Sequence, residues 1–156
     1  MKRVLLTTYL VIILVVVAGV SAEAARWMVP AGAHVGGAAD THWRTDLRLV
    51  NPTADSIAVT VFLLRPNRDN SALDQSTAVI VPSGGQTILE DVIFSAFQFT
   101  GTGALLVACP DDDLVVTSRT FNQVTGGTYG QFIPGVPVGD ALIRGQHGHI
   151  VYLAKS

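Results

Sequence analysis

Two charged residues interrupt apolar stretches of the sequence, Asp46 and Arg119. A charge within an apolar strand is costly unless it is paired. We therefore expect a bidentate ion pair between Asp46 and Arg119 across neighbouring strands, with Arg44 or Arg48 as the rival partner of the carboxylate. The role of such a pair would be structural, because it would fix the register of the strands.

Potential metal ligands are present, but their spacing does not favour a metal site. Asp111, Asp112 and Asp113 are adjacent, so their side chains should point in different directions, and their loop lacks the glycine that calcium loops use for a sharp turn. The histidines form no His-x-x-x-His motif; they are His34, His42, His147 and His149. We interpret the acids as a solvated turn and the histidines as surface or loop residues, and we expect neither a metal nor a cofactor.

Nucleophilic side chains lack the local motifs of known catalytic sites. The Gly-x-Ser-x-Gly elbow is absent, and Ser118 lies within a strand-like run. The Gly-x-Gly of residues 101–103 precedes a strand, whereas phosphate cradles precede a helix. Cys109, the single cysteine, ends an apolar strand and should be a buried, inert thiol, with intermolecular pairing as the alternative. The sequence therefore predicts no catalytic residue and favours a protein that is not an enzyme.

Three aromatic residues could form a platform for sugar rings: Trp27, Trp43 and Tyr129. Trp43 begins a core-facing run, and one buried tryptophan is normal in a β-sandwich. Trp27 lies near the predicted mature N-terminus. A carbohydrate-binding module is therefore an alternative function.

The elements that must position these residues are short β-strands. Gly, Pro, Asn and Asp recur about every 8–12 residues, and runs rich in Val, Ile, Thr and Phe lie between them. This spacing predicts an all-β fold, an immunoglobulin-like β-sandwich of about eight or nine strands. The predicted strands are 26–30, 43–51, 56–65, 77–81, 86–89, 103–109, 114–122, 129–134 and 149–154.

Local patterns add detail to this prediction. Alternation in 43–51 places Trp43, Thr45, Leu47 and Leu49 on one face, and alternation in 56–65 does the same for Ile57, Val59, Val61 and Leu63. Residues 31–42 are predicted as a Gly/Ala-rich loop, and 77–81 and 86–89 as a hairpin. Asp91 is expected to cap one helical turn whose inward residues are Val92, Ile93, Phe94 and Phe97.

The first 24 residues have the layout of a secretory signal and are expected to form a helix. Lys2 and Arg3 precede the apolar run 4–17, and small residues follow, with cleavage after Ala22 or Ala24. Residues 25–156 would then be one β-sandwich domain that is secreted, periplasmic or on the cell surface. The alternative is an uncleaved membrane anchor, because the apolar stretch of about 17 residues is at the lower limit for a spanning helix.

Composition limits the partners and the source of stability. The chain is 49% hydrophobic and 14% charged with a net charge of −2, and the usual charged fraction is about 25%. No basic stripe is visible, so nucleic acid and anionic membrane surfaces are not expected partners. A single cysteine excludes a disulfide framework within the chain, so the hydrophobic core must hold the fold.

Five segments together resemble an uncharacterised β-sandwich module of exported bacterial proteins, which is often found in tandem repeats. They are 29–31, 43–47, 50–52, 118–122 and 129–135. The resemblance implies the fold and attaches no catalytic residues to it. In tandem members a further Arg-Thr-Asp/Asn-Leu strand usually follows a segment like 149–153. The strand 149–154 is therefore either the last of a single module or the start of a missing further repeat, and in the second case it could mediate self-association.

These observations favour a non-catalytic structural or interaction module of the cell envelope or exterior, with a protein or an envelope polymer as its partner. The alternatives are a carbohydrate-binding module and an enzyme with an unrecognised site.

Overall fold

The computed structural model describes residues 24–38, 40–124, 126–141 and 145–146. A helical turn, α1 (Val92–Ser95), and a 3₁₀ turn (Val138–Asp140) accompany nine strands in this part of the chain. The strands are β1 (Ala25–Gly36), β2 (His42–Val50), β3 (Ile57–Leu64), β4 (Ser76–Val81), β5 (Gln86–Leu89), β6 (Gly101–Cys109), β7 (Val115–Val124), β8 (Gly127–Pro134) and β9 (Val136–Pro137).

Two predicted segments lie outside the described residues: nearly all of the signal peptide and the strand 149–154. No helix among the described residues is both long enough and apolar enough to cross a membrane.

The strands form two antiparallel layers that share one strand. The first layer has the order β4-β3-β6-β1, and in the second β2 pairs with both β5 and β7, and β7 pairs with β8. β1 pairs with β6 from Ala25 to His34 and then with β2 at Val35 and Gly36. The protein is therefore a β-sandwich, which confirms the predicted fold class and number of strands.

Period-two alternation builds the core between the layers. Ile57, Val59, Val61 and Leu63 of β3 are all buried, and so are Thr45, Leu47 and Leu49 of β2, while Trp43 is half-buried. Each buried aliphatic side chain stabilises the fold by about 1.5–3 kcal/mol relative to an exposed one. The predicted faces of both strands are thus correct.

The predicted hairpin of residues 77–81 and 86–89 is wrong. β4 pairs with β3 in the first layer, whereas β5 pairs with β2 in the second. Asn51 holds the crossing between them, since its fully buried Nδ2 donates to the carbonyls of Val81 and Pro82 at 3.2 and 3.1 Å. The Pro-Ser-Gly-Gly segment is compatible with a hairpin turn and with a crossing between the layers. The hydrogen bonds from Asn51 stabilise the crossing.

The predicted loop 31–42 is also wrong in its first half, because β1 continues to Gly36. The register of β1 against β6 shifts between Val29 and Gly32. A Cβ on Gly32 would lie 3.2 Å from Cδ1 of Ile93, which is tight. The small residues therefore serve close packing within a strand rather than loop flexibility.

Helical turn α1 forms as predicted, but the predicted cap by Asp91 and the predicted burial of Phe94 are wrong. Val92 and Ile93 are fully buried as expected, and Phe97 packs partly buried against the core. Phe94 is 42% exposed, contrary to expectation. Asp91 makes no side-chain cap and has a left-handed backbone with φ of 46°, because its carboxylate is bound elsewhere.

Candidate functional site: a groove along β1

Three adjoining clefts follow the second half of β1, and together we name them the β1 groove. The first has a volume of about 520 Å³ and is lined mainly by apolar atoms. The second, about 340 Å³, shares Ala31 and Thr120 with the first. The third, about 240 Å³, shares Trp43 with the second. Neighbouring clefts of the β1 groove therefore share lining residues.

The floor of the first cleft consists of small residues from two paired strands. Ala31, Gly32 and Ala33 of β1 lie beside Gly103 and Ala104 of β6. A Cβ on Gly103 would lie 2.8 Å from the carbonyl oxygen of Leu64, so no larger residue fits there without movement of the backbone. Small side chains leave the strand backbone close to the surface, and this is what makes the cleft deep.

Trp43 and Tyr129 lie on the same face of the second layer, in one cross-strand row. Trp43 pairs with Asn122, and Asn122 pairs with Tyr129. Asn122 is buried and its Oδ1 accepts a hydrogen bond of 2.9 Å from the His42 N–H. Trp43 is half-buried in the groove wall, whereas Tyr129 is 69% exposed on β8 and is not among the residues that line the three clefts. The two aromatic residues therefore share a face of the layer but are separated by β7.

Trp27 does not belong to this platform. It is only 7% exposed and packs in the core on β1. The three-residue aromatic platform is thus wrong for Trp27, because strand alternation in β1 turns its ring inward.

His34 is held rigidly at the end of the groove. Its Nδ1 donates to both carboxylate oxygens of Asp91 at 2.8 and 2.9 Å, and its ring stacks on Phe94 with a centroid distance of 4.5 Å. The N–H of Asp91 in turn donates to Oδ1 of Asp46 at 3.0 Å. These contacts orient an imidazole that also lines the third cleft.

Asp46 and Arg119 are directly opposed on β2 and β7, but they do not form the predicted ion pair. The two ion pairs among the described residues are His34–Asp91 and Arg68–Asp74. Arg119 is exposed, donates to Oγ1 of Thr128 and lies 4.7 Å from the Phe121 ring centroid. The prediction of a buried pair is wrong because Arg119 is exposed to solvent and the half-buried Asp46 accepts the Asp91 N–H instead.

The acidic turn is more compact than its sequence suggests. Oδ1 of Asp111 accepts a hydrogen bond of 2.9 Å from the Asp113 N–H, and the carboxylates of Asp111, Asp112 and Asp113 lie within 4.8 Å of one another. The expectation that they point apart is therefore wrong, because the turn folds back on itself. Exposed acidic groups of this kind are common without a metal ion.

The remaining candidate residues have structural surroundings. Cys109 is buried as predicted, its Sγ donates to the carbonyl of Asp111 at 2.8 Å, and burial raises the pKa of its thiol. Ser118 is buried and its Oγ donates to the carbonyl of Ile133 at 2.9 Å. His147 and His149 lie outside the described residues.

The β1 groove itself was not predicted. Its floor has the composition of a loop, and its walls come from residues far apart in the chain, such as Leu64, Thr102 and Thr120. The signal that could have pointed to it is the group of small residues Ala31, Gly32 and Ala33 next to the predicted first strand.

The class of protein that these observations define is the all-β, β-sandwich class. No protein-family model and no curated protein matches the chain. Among solved structures, the crystal structure of Thermotoga maritima 1070 is similar with a TM-score of 0.56 and 10% sequence identity, over 72% of this chain and 93% of that chain. At this identity the similarity shows the fold alone: the chain has a β-sandwich neighbour of unknown function.

Proposed function

We propose that the protein is a non-catalytic interaction module of the cell envelope or exterior, and that it binds an extended ligand in the β1 groove. The observation that carries this proposal is the sequence of three neighbouring clefts with shared lining residues along β1 from Pro30 to Gly36. This length corresponds to about 20 Å of strand. A depression of this length suits a segment of a linear polymer better than a compact small molecule.

The lining of the groove supports a binding role rather than catalysis. It contains no serine, no cysteine and no carboxylate among the described residues. His34 is oriented like a general base, but no activated nucleophile accompanies it in the lining. The proposed export rests on the layout of the first 24 residues.

The half-buried Trp43 in the groove wall supports a carbohydrate as the polymer, which is the second candidate function. Aromatic rings offer an apolar face to a sugar ring, and a few placed polar groups then fix its orientation. Thr120 and Gln131 lie in the same cleft as Trp43 and carry such groups. A glycan would therefore find both kinds of contact in the middle of the groove.

A glycan array and a crosslinking pull-down from envelope fractions, both with the full chain, test the proposal. We expect the wild type to bind a defined ligand and Trp43→Ala to lose that binding. Ile80→Ala is the control and should bind as the wild type does, because Ile80 is a 62% exposed residue of β4 outside the groove lining. Gln131→Ala, at an exposed groove position, provides a second variant if Trp43→Ala unfolds. Binding that both groove variants leave unchanged would place the site elsewhere, and turnover of a hydrolase substrate would contradict a non-catalytic role.

A further inference from the structure

We infer that the ligand of the β1 groove is an acidic polysaccharide whose anionic groups pair with Arg44 and Arg65. This inference rests on the proposed role of the groove and adds the charge of its ligand. Arg44 lines the third cleft and Arg65 lines the first, so an arginine lines each of the two outer clefts.

The groove is cationic although the chain is acidic. The sequence has twelve acidic and ten basic residues, yet none of the acidic residues that the structure describes lines the clefts. The ion pairs of the described residues, His34–Asp91 and Arg68–Asp74, leave Arg44 and Arg65 without a carboxylate partner. An anionic ligand would therefore meet two arginines that no described carboxylate neutralises.

The Arg65 side chain is held by one contact, and one of its hydrogen-bond donors lacks an acceptor. Its guanidinium carbon lies 4.6 Å from the ring centroid of Phe99, a cation–π contact that restrains the side chain. Its Nε is buried and has no hydrogen-bond acceptor. A buried charged donor without an acceptor destabilises the free protein. Because Arg65 is half-buried overall, a carboxylate or sulfate would reach the terminal nitrogens of this guanidinium rather than the buried Nε, in the bidentate geometry that arginine favours.

The middle of the groove distinguishes an acidic polysaccharide from other anions. Between the two arginines lie the floor of small residues and the wall that contains Trp43. A charged sugar chain presents apolar ring faces between its anionic groups, and this alternation matches the order of guanidinium, aromatic surface and guanidinium. A neutral glycan would use only the aromatic part of the site.

The experiment compares polygalacturonate with its fully methyl-esterified form, which has the same sugar chain without the charges. We expect the full-length protein to bind polygalacturonate in isothermal titration calorimetry and the ester at least about tenfold more weakly, with an affinity for the acid that falls as salt rises. Arg44→Gln and Arg65→Gln should each weaken binding of the acid about tenfold, the effect of one lost charge-assisted contact. Arg48→Gln is the matched control, since Arg48 is an exposed arginine of the same strand as Arg44 and does not line the groove.

Each contrary outcome has a distinct meaning. Equal binding of acid and ester that depends on Trp43 would overturn the inference and leave the groove as a glycan site. Three other results would also overturn the inference. They are the absence of polygalacturonate binding, binding of polyglutamate as strong as that of polygalacturonate, and a loss of affinity in Arg48→Gln as large as in Arg44→Gln. In each case the glycan array and the pull-down still test the proposed function of the groove independently. Circular dichroism melts show whether Arg65→Gln still folds, and exposed Arg44 supplies the second variant.

Discussion

His34 and Asp91 are joined across 57 residues of sequence by a short contact in which Nδ1 of the imidazole reaches both carboxylate oxygens. The pair ties the turn before α1 to the end of β1. It also explains why Asp91 has a left-handed backbone, since this conformation is costly for a residue other than glycine and persists where surrounding contacts enforce it.

We therefore expect Asp91→Ala to lower the free energy of unfolding by about 2 kcal/mol, through loss of the hydrogen bond and the poor tolerance of alanine for a positive φ. Asp91→Asn should cost less, because asparagine keeps an acceptor for Nδ1–H and tolerates the left-handed region. Urea denaturation measures both, with the exposed neighbour substitution Glu90→Ala as the control. Equal losses in the alanine and asparagine variants would show that the contact contributes nothing.

Asp46 and Arg119 yield a second prediction. Asp46→Ala should cost about 1 kcal/mol, because it removes the acceptor of the Asp91 N–H. Arg119→Ala should cost at most about 1 kcal/mol, since an exposed cation–π contact contributes little. A double-mutant cycle should give a coupling energy near zero. A loss of roughly 3 kcal/mol in either single variant is the result expected of a buried ion pair and would contradict the observed geometry.

Two glycines of β8 provide a third prediction. A Cβ on Gly130 would lie 2.5 Å from Cβ of Phe121 and would also collide with the carbonyl oxygen of Thr120. Gly130→Ala should therefore destabilise the protein by about 2 kcal/mol, because the β7–β8 pairing must shift. Gly127→Ala, in the same strand, meets no atom within 4 Å and is the matched control. Thermal melts that show equal stability for the two variants would contradict the close approach of the strands.

The fourth prediction concerns pH and Cys109. Burial raises the pKa of the thiol in the folded protein above its unfolded value, so the folded state holds the proton more tightly. The associated stability is fully present below the unfolded pKa of about 8.5 and is lost as the pH rises through the folded pKa.

Urea denaturation at pH 7 and at pH 10 measures this loss. Because tyrosine and lysine also titrate in this range, the test is the difference between the wild type and Cys109→Ala. We expect a smaller decline in the alanine variant. An identical decline in both proteins would mean that the thiolate forms as easily in the folded state as in the unfolded one.

Much of the fold follows directly from the sequence, for a simple physical reason. In β2 and β3 the apolar residues alternate with a period of two, and only a half-buried strand places such residues on one face. The buried positions Leu47, Leu49, Val59 and Val61 were predictable on this basis. Which strand pairs with which was less predictable, because Pro82–Gly85 could turn the chain back or carry it to the other layer.

The candidate site depends on information that local patterns lack. Gly32 and Gly103 form a strand floor because Ile93 and Leu64 approach them, and neither approach is visible in a local window of sequence. The guanidinium of Arg65 is restrained by contact with the ring of Phe99, which lies far along the chain. Of the predicted aromatic platform, Trp43 lines the groove, Trp27 is buried in the core, and Tyr129 lies beyond β7 from Trp43.

The passage of β1 from one layer into the other has a consequence for how the molecule comes apart. Its backbone is paired with β6 along most of its length and with β2 at Val35 and Gly36, so it joins the two layers. Detaching this strand would break its pairing in the first layer and its link to the second layer together. The two layers should therefore melt as one cooperative unit, and the strand that forms the groove floor should be among the last to exchange its amide hydrogens with solvent.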